Sequence, residues 1–171
     1  VDPVVHRQYA KSLSPRPYLH LTWSMDDREV VVSLSKAGKR EIVLVDHATG
    51  ARRTVLVQAK DAWAIPRSVS RDGTLLFESL RSGSGYDILW KNLRTADEPV
   101  SYDAIAATID GTALSHDGRL LAYVSETSGR LAVYVAGFPA RGAVRRVSTE
   151  GDAGEPVWRS DDRELYFRGL G

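Results

Sequence analysis

Apolar residues in this chain fall in short runs: Val30 to Leu34, Ile42 to Val45, Leu75 to Phe77, Leu120 to Val124 and Val133 to Val135. They are rich in Val, Ile, Leu, Tyr and Phe. Asp-Gly, Ser-Gly, Ala-Gly or Thr-Gly pairs break them roughly every 8–12 residues, the pattern of short β-strands joined by tight turns. No window keeps a helical period over three turns; a single helical turn fits only at Ala104 to Ile109. The runs are nearly continuous rather than alternating, so the inner strands are expected to be covered on both faces, as in a sheet packed between two others. The chain reads as all-β.

The runs repeat. Trp23-Ser24-Met25-Asp26-Asp27-Arg28, Val69-Ser70-Arg71-Asp72-Gly73-Thr74, Leu114-Ser115-His116-Asp117-Gly118-Arg119 and Trp158-Arg159-Ser160-Asp161-Asp162-Arg163 align on one aspartate, with spacings of 46, 45 and 44 residues. The alignment continues without gaps through Val30, Leu76, Leu121 and Leu165, and on to Ile42-Val43-Leu44, Ile88-Leu89-Trp90 and Val133-Tyr134-Val135. Each unit predicts four strands, the weak fourth at Thr54 to Gln58, Pro99 to Tyr102 and Val144 to Ser148. A repeat of about 40–45 residues with four strands is a β-propeller blade. The chain should therefore form a propeller or partial propeller of four-stranded antiparallel blades, three full and the inner strands of a fourth. The turn aspartate has a mechanical role: its carboxylate accepts N–H groups of its own turn, and Gly next to it relieves a positive-φ position.

Two of these segments, Pro156-Val157-Trp158-Arg159-Ser160-Asp161-Asp162-Arg163-Glu164-Leu165-Tyr166-Phe167 and Ala113-Leu114-Ser115-His116-Asp117-Gly118-Arg119-Leu120-Leu121-Ala122-Tyr123-Val124-Ser125, resemble the "PxWSPDGxxLAFxS" blade of TolB-like, or WD40-like, propellers. The stretch Ser128 to Val135, with Phe138-Pro139 and Arg146 to Gly151, is similar to propeller segments attached to bacterial serine/threonine kinases. The resemblance spans roughly residues 19–168 and implies a fold; the same blade occurs in prolyl-oligopeptidase-type peptidases, so it implies no single function. Met25, Arg71, His116 and Ser160 replace the family's Pro before the aspartate, and Asp27 and Asp162 stand where Gly is usual. The Gly-His and Trp-Asp pairs of true WD repeats are absent.

The units divide the chain at 19–65, 66–110, 111–154 and 155–171, with 1–18 as an N-terminal segment. Val1 lacks an initiator Met and reads as a processing boundary. Val4 to Tyr9 offers an outer strand beside Leu165 to Phe167 that would close a ring; the other route to covering that edge is a second copy of the chain, a homo-oligomer.

Composition narrows the function. Lys and Arg total 23 against 22 Asp and Glu, a net charge of +1, which supplies no basic excess for gripping nucleic acid. No apolar run approaches the roughly 20 residues of a membrane helix, so no membrane insertion is expected and the chain reads as soluble, of the bacterial cytoplasm or periplasm. Zero cysteines exclude disulfides and thiolate metal sites. There is no Gly-x-Ser-x-Gly elbow, phosphate loop or dinucleotide fingerprint, and His6, His20, His47 and His116 show no ligand spacing, His116 reading as a solvated turn residue. No catalytic residue, cofactor or metal site is therefore expected. Asp152 and Glu155 lack the pattern of a calcium loop.

The expectation is a non-enzymatic interaction module that binds a protein, peptide or small ligand through the loops at one rim. The alternative is the gating propeller of a larger enzyme such as a prolyl-oligopeptidase-type peptidase. The rim combines the loops before each first strand with those joining second and third strands, and its expected contact residues are Trp63, Arg81, Tyr86, Glu126, Arg130, Asp152 and Glu155. Trp23 and Trp158 recur at one blade position and belong to the core; Trp63 has no counterpart and is expected to be exposed.

Overall fold

A computed structural model describes residues 20–36, 39–58, 62–81, 85–102, 109–126, 129–149 and 152–169, with residues 36, 81, 85, 109 and 110 placed by backbone alone. The proposed outer strand Val4 to Tyr9 and most of the helical-turn candidate at 104–109 lie outside the described residues.

Among the described residues fourteen strands form three four-stranded sheets and one two-stranded sheet, all antiparallel and ordered as in the sequence. Blade 1 holds β1 (Leu21–Trp23), β2 (Glu29–Lys36), β3 (Lys39–Asp46) and β4 (Arg52–Val57). Blade 2 holds β5 (Ala62–Val69), β6 (Thr74–Arg81), β7 (Gly85–Asn92) and β8 (Val100–Ser101). Blade 3 holds β9 (Ile109–Leu114), β10 (Leu120–Glu126), β11 (Leu131–Gly137) and β12 (Arg145–Arg146), and β13 (Ala153–Trp158) with β14 (Leu165–Gly169) begins blade 4. The divisions 65/66, 110/111 and 154/155 thus fall inside β5, β9 and β13, because each first strand starts before its apolar signature.

Stacking of the blades explains the unbroken apolar runs. Leu75 and Leu76 point to opposite faces of β6, yet both are 0% exposed. Leu75 and Phe77 pack with Val31, Ile42 and Leu44 of blade 1, whereas Leu76 packs with Leu114, Leu121 and Tyr123 of blade 3. The middle strands of blades 2 and 3 are packed on both sides. The first strands β1, β5, β9 and β13 touch in series and form the innermost row; β4, β8 and β12 are the outer edges.

The turns follow the repeat. Asp26, Asp72, Asp117 and Asp161 accept the backbone N–H two residues on, at 3.1–3.2 Å. In three blades a serine two residues earlier also donates its hydroxyl to that carboxylate: Ser24 at 2.7 Å, Ser70, and Ser115 at 2.7 Å. The Ser24 and backbone bonds hold the Asp26 carboxyl below the usual carboxylate range. The residue after the aspartate takes positive φ throughout: Asp27 56°, Gly73 85°, Gly118 72° and Asp162 60°. Blade 2 departs by one residue: Val69 pairs with Leu75, whereas its counterparts Trp23, Leu114 and Trp158 pair one position later, with Val30, Leu121 and Leu165.

His116 is not a solvated residue. Its side chain is 22% exposed, and its ring Nδ1 lies 2.7 Å from the Asp162 carboxylate of blade 4. The backbone N–H groups of His116 and Asp117 donate to the same carboxylate at 2.8 and 2.9 Å, with Arg71 of blade 2 at 3.7 Å. Trp158 lies against blade 3 as its repeat position requires, its indole N–H donating to the Ala113 carbonyl at 3.0 Å. Trp158→Ala should cost about 2–4 kcal/mol through the cavity and the orphaned carbonyl. Chemical denaturation measures it, and a midpoint equal to the parent's would show that this ring does not tie the two blades.

At the far end, Val157, Tyr166 and Phe167 are 60%, 56% and 39% exposed, and β14 has no described partner beyond β13. No helix is long and apolar enough to cross a membrane among the described residues.

Candidate functional site

Three of the inner strands are bulged. β5, β9 and β13 each insert one extra residue opposite the second strand they pair with, between Pro66 and Ser68, between Ile109 and Thr112, and between Gly154 and Val157. Bulges break a ladder locally and re-aim side chains, and they gather beside binding sites. Those of β9 and β13 abut: a Cβ on Gly111, whose φ is +99°, would lie 3.6 Å from Pro156 and 3.9 Å from the Glu155 nitrogen. Glu155 itself has a φ of 54° and pairs with Arg168 at 3.1 Å, both exposed.

Arg67 is the residue inserted at the β5 bulge, and it meets a carboxylate with no access to water. The Glu78 side chain is 0% exposed. Its two oxygens take Arg67 Nη2 at 2.5 Å and the Thr112 hydroxyl of blade 3 at 2.9 Å. The Arg67 side chain is 29% exposed, and its Nε is buried without an acceptor. His20, just before β1, has its imidazole pKa lowered by burial and then by the Arg67 charge. Three neighbouring inner strands thus converge on an oriented guanidinium held from behind by a buried carboxylate, an arrangement suited to receiving an anionic or carbonyl group. Among the described residues no three His, Asp or Glu side chains are grouped to hold a metal ion.

The expected contact residues separate into two groups. On blade 2, Trp63 faces Leu80, which faces Tyr86 on the other side, while Arg81 ends β6 opposite Ala62. Trp63 lies within β5 rather than in a loop and is half-buried, with the Arg40 guanidinium of blade 1 over its ring at 4.9 Å. Tyr86 and Leu80 are both 37% exposed. Between blades 3 and 4, Glu126 ends β10 opposite Leu131, beside the exposed Arg130. Asp152 accepts the Leu131 N–H at 2.9 Å and so fastens blade 4 to blade 3.

The sequence reading passed over Arg67 and Glu78. In sequence register Glu78 aligns with Val32, Tyr123 and Phe167. The one-residue shift of blade 2 instead makes Ser33 and Val124 its counterparts in the sheet, opposite Ile42 and Val133 as Glu78 is opposite Ile88, so the repeat pointed to the wrong positions. Nothing marked Arg67, because the bulge that places it is invisible in the period.

No protein-family model matches the chain, and no curated protein sequence matches it. Solved structures do. TolB from Acinetobacter baumannii superimposes with a TM-score of 0.74 at 22% identity, over 91% of this chain and 39% of that one. A putative TolB from Agrobacterium tumefaciens gives 0.72 at 18% identity, over 86% and 52%. A prolyl endopeptidase gives 0.60 at 16% identity, over 86% and 24%. The chain therefore spans between about two-fifths and one-half of the TolB chains it resembles. Its architecture, three complete four-stranded blades and two strands of a fourth around an innermost row of first strands, is that of the TolB-like β-propeller fold.

Proposed function

We propose that this chain is a non-catalytic interaction module that receives a protein or peptide partner at the rim and along the inner row of first strands. The observation that carries this reading is the succession of three bulged inner strands, with the buttressed Arg67 at one bulge and Glu155 at another. Exposed Tyr86, Glu126 and Arg130 border the end where Glu155 stands, while Arg67 lies further along β5 toward the aspartate turn. Bulges leave backbone groups outside the ladder, and a rigid blade stack holds them without an ordering cost on binding.

The test is site-directed photo-crosslinking in the parent cell. A photoreactive phenylalanine at Tyr86 and, separately, at Glu126 should give one shared covalent adduct, absent when the probe is at Thr95 on the opposite end. Different adducts at the two rim positions, or the same adduct from Thr95, would defeat the reading, as would a hydrolytic turnover abolished by one side-chain change.

A second reading, the gating propeller of a larger peptidase, rests on the likeness to a prolyl endopeptidase. A catalytic domain carried by the same longer polypeptide would favour it. In either case the free edge of β14, with Tyr166 and Phe167 exposed, is available to a strand from a second copy or from a longer chain.

A further inference from the structure

A groove far from the rim separates blades 1 and 2 on their outer sides. It encloses about 570 Å³ between β4 and the segment 93–99 that follows β7, within the roughly 300–1,000 Å³ of ordinary ligand sites. A second hollow of about 230 Å³ continues it toward the aspartate turns, sharing Arg53, Leu93 and Arg94.

Three cations line the groove, and none has a carboxylate partner among the described residues. Arg53 donates to the Leu93 carbonyl at 3.3 Å, Arg94 to the Arg71 carbonyl at 3.3 Å, and Lys91 to the Asp97 carbonyl. Elsewhere Arg67, Arg71, Arg119, Arg159 and Arg168 face carboxylates, while Arg40 and Arg146 are held by the carbonyls of Ala62 and Ser148. Lys91 is only 8% exposed. An ammonium has three donors, and a buried charge held by a neutral carbonyl alone is short of compensation. Glu98 is the acidic side chain lining the groove itself against the three cations, and Asp26 and Glu29 line the adjoining hollow.

The remaining wall is apolar and extended. β4 contributes half-buried Val55 and Leu56 and a 63% exposed Val57, and it is the last described strand of its sheet, so its outer ladder of N–H and C=O groups has no partner among the described residues. A free edge beside an apolar and cationic channel is the template for strand addition.

We propose that this groove binds an extended acidic peptide segment of a partner protein, which lies along β4, places carboxylates on Arg53, Lys91 and Arg94, and sets alternate apolar side chains against Val55 and Leu56. The site is separate from the rim and does not depend on the rim's function.

Fluorescence anisotropy tests it with three labelled twelve-residue peptides: Asp alternating with Val and Leu, Lys in place of Asp, and Ser in place of Val and Leu. The acidic-apolar peptide should bind, and the other two should bind at least about tenfold more weakly. Arg53→Gln with Arg94→Gln, two exposed positions, should weaken it by about tenfold or more while leaving the melting temperature within a degree or two. Lys91→Met, which keeps the buried stem, should weaken it in the same direction. Glu126→Lys with Arg130→Glu at the rim should leave binding unchanged. Equal binding of the basic peptide, unchanged binding by the Arg53/Arg94 variant, loss of binding in the rim variant, or full competition by inorganic polyphosphate would each overturn the proposal.

Discussion

Arg67→Ala should be one of the two most damaging single changes outside the apolar core, lowering the unfolding free energy by about 3 kcal/mol. Removing one partner of a buried ion pair strands the other, at a typical cost of about 3–5 kcal/mol. The lower end applies because Arg67 is 29% exposed, so water can partly replace it. Glu78 cannot escape: it faces the blade 2–blade 3 interface at 0% exposure, with the Thr112 hydroxyl as its remaining partner. The double variant Arg67→Leu/Glu78→Val should recover most of the loss, since blade 3 has Val124 opposite Val133 where blade 2 has Glu78 opposite Ile88, and well-packed apolar replacements of buried pairs are often neutral or better. A double-mutant cycle in urea reads the coupling directly. If Arg67→Ala and the double variant unfold at the same midpoint, the pair is not a unit. The pair is therefore expected to be dispensable for folding and retained for orienting the guanidinium, so the recovered double variant is also the one in which rim binding should fail.

The second large effect is at Asp162. Its side chain is 10% exposed and gathers two backbone N–H groups and an imidazole from blade 3. Asp162→Ala should cost about 3 kcal/mol: roughly 1 kcal/mol for each orphaned backbone donor and about 1 for a Cβ-bearing residue without local support at φ 60°. Asp162→Gly, which relieves only the strain, should cost about 2 kcal/mol. Amide exchange should then accelerate in β13 and β14 before β6. Acid should mimic the substitution. Burial works to raise the Asp162 pKa, but the His116 and Asp117 hydrogen bonds outweigh it and hold the carboxyl below its ordinary range. A carboxylate with a depressed folded pKa stabilises fully above the unfolded value, near 4, and loses that contribution as pH falls through the lower folded value. The stability gap between parent and Asp162→Ala should therefore be constant from about pH 5 to 8 and narrow below about pH 4. A gap that does not narrow would mean the carboxylate's charge is not what ties the blades.

The same position shows how much could be read in advance. Asp27 and Asp162 are identical in the repeat, and both take the positive φ expected of the residue after the turn aspartate. Only Asp162 has a described neighbouring turn in reach. The position faces the preceding blade: a Cβ on Gly118 of blade 3 would lie 3.4 Å from Ser70 of blade 2. Glycine suits that crowded boundary, whereas at the blade 3–blade 4 boundary an aspartate fills the gap and binds across it. His116 was misread for the same reason, because a turn residue's exposure depends on the next blade's turn rather than on its own.

What the sequence alone determined is what is local and periodic. Strand count, blade number, the aspartate turns with their positive φ, and burial of the second strands of blades 2 and 3 on both faces all follow from a pattern that recurs every 44–46 residues, so each blade testifies for the others. What only the tertiary structure decided is non-periodic. The one-residue bulges of β5, β9 and β13 re-aim Arg67 toward Glu78, the tighter hairpin of blade 2 shifts its register, and the outer edges of blades 1 and 2 leave a groove with three cations held by carbonyls. A single inserted residue or an inter-blade distance leaves no mark on a period of hydrophobicity, because side-chain alternation records which face a residue is on and not what stands opposite it.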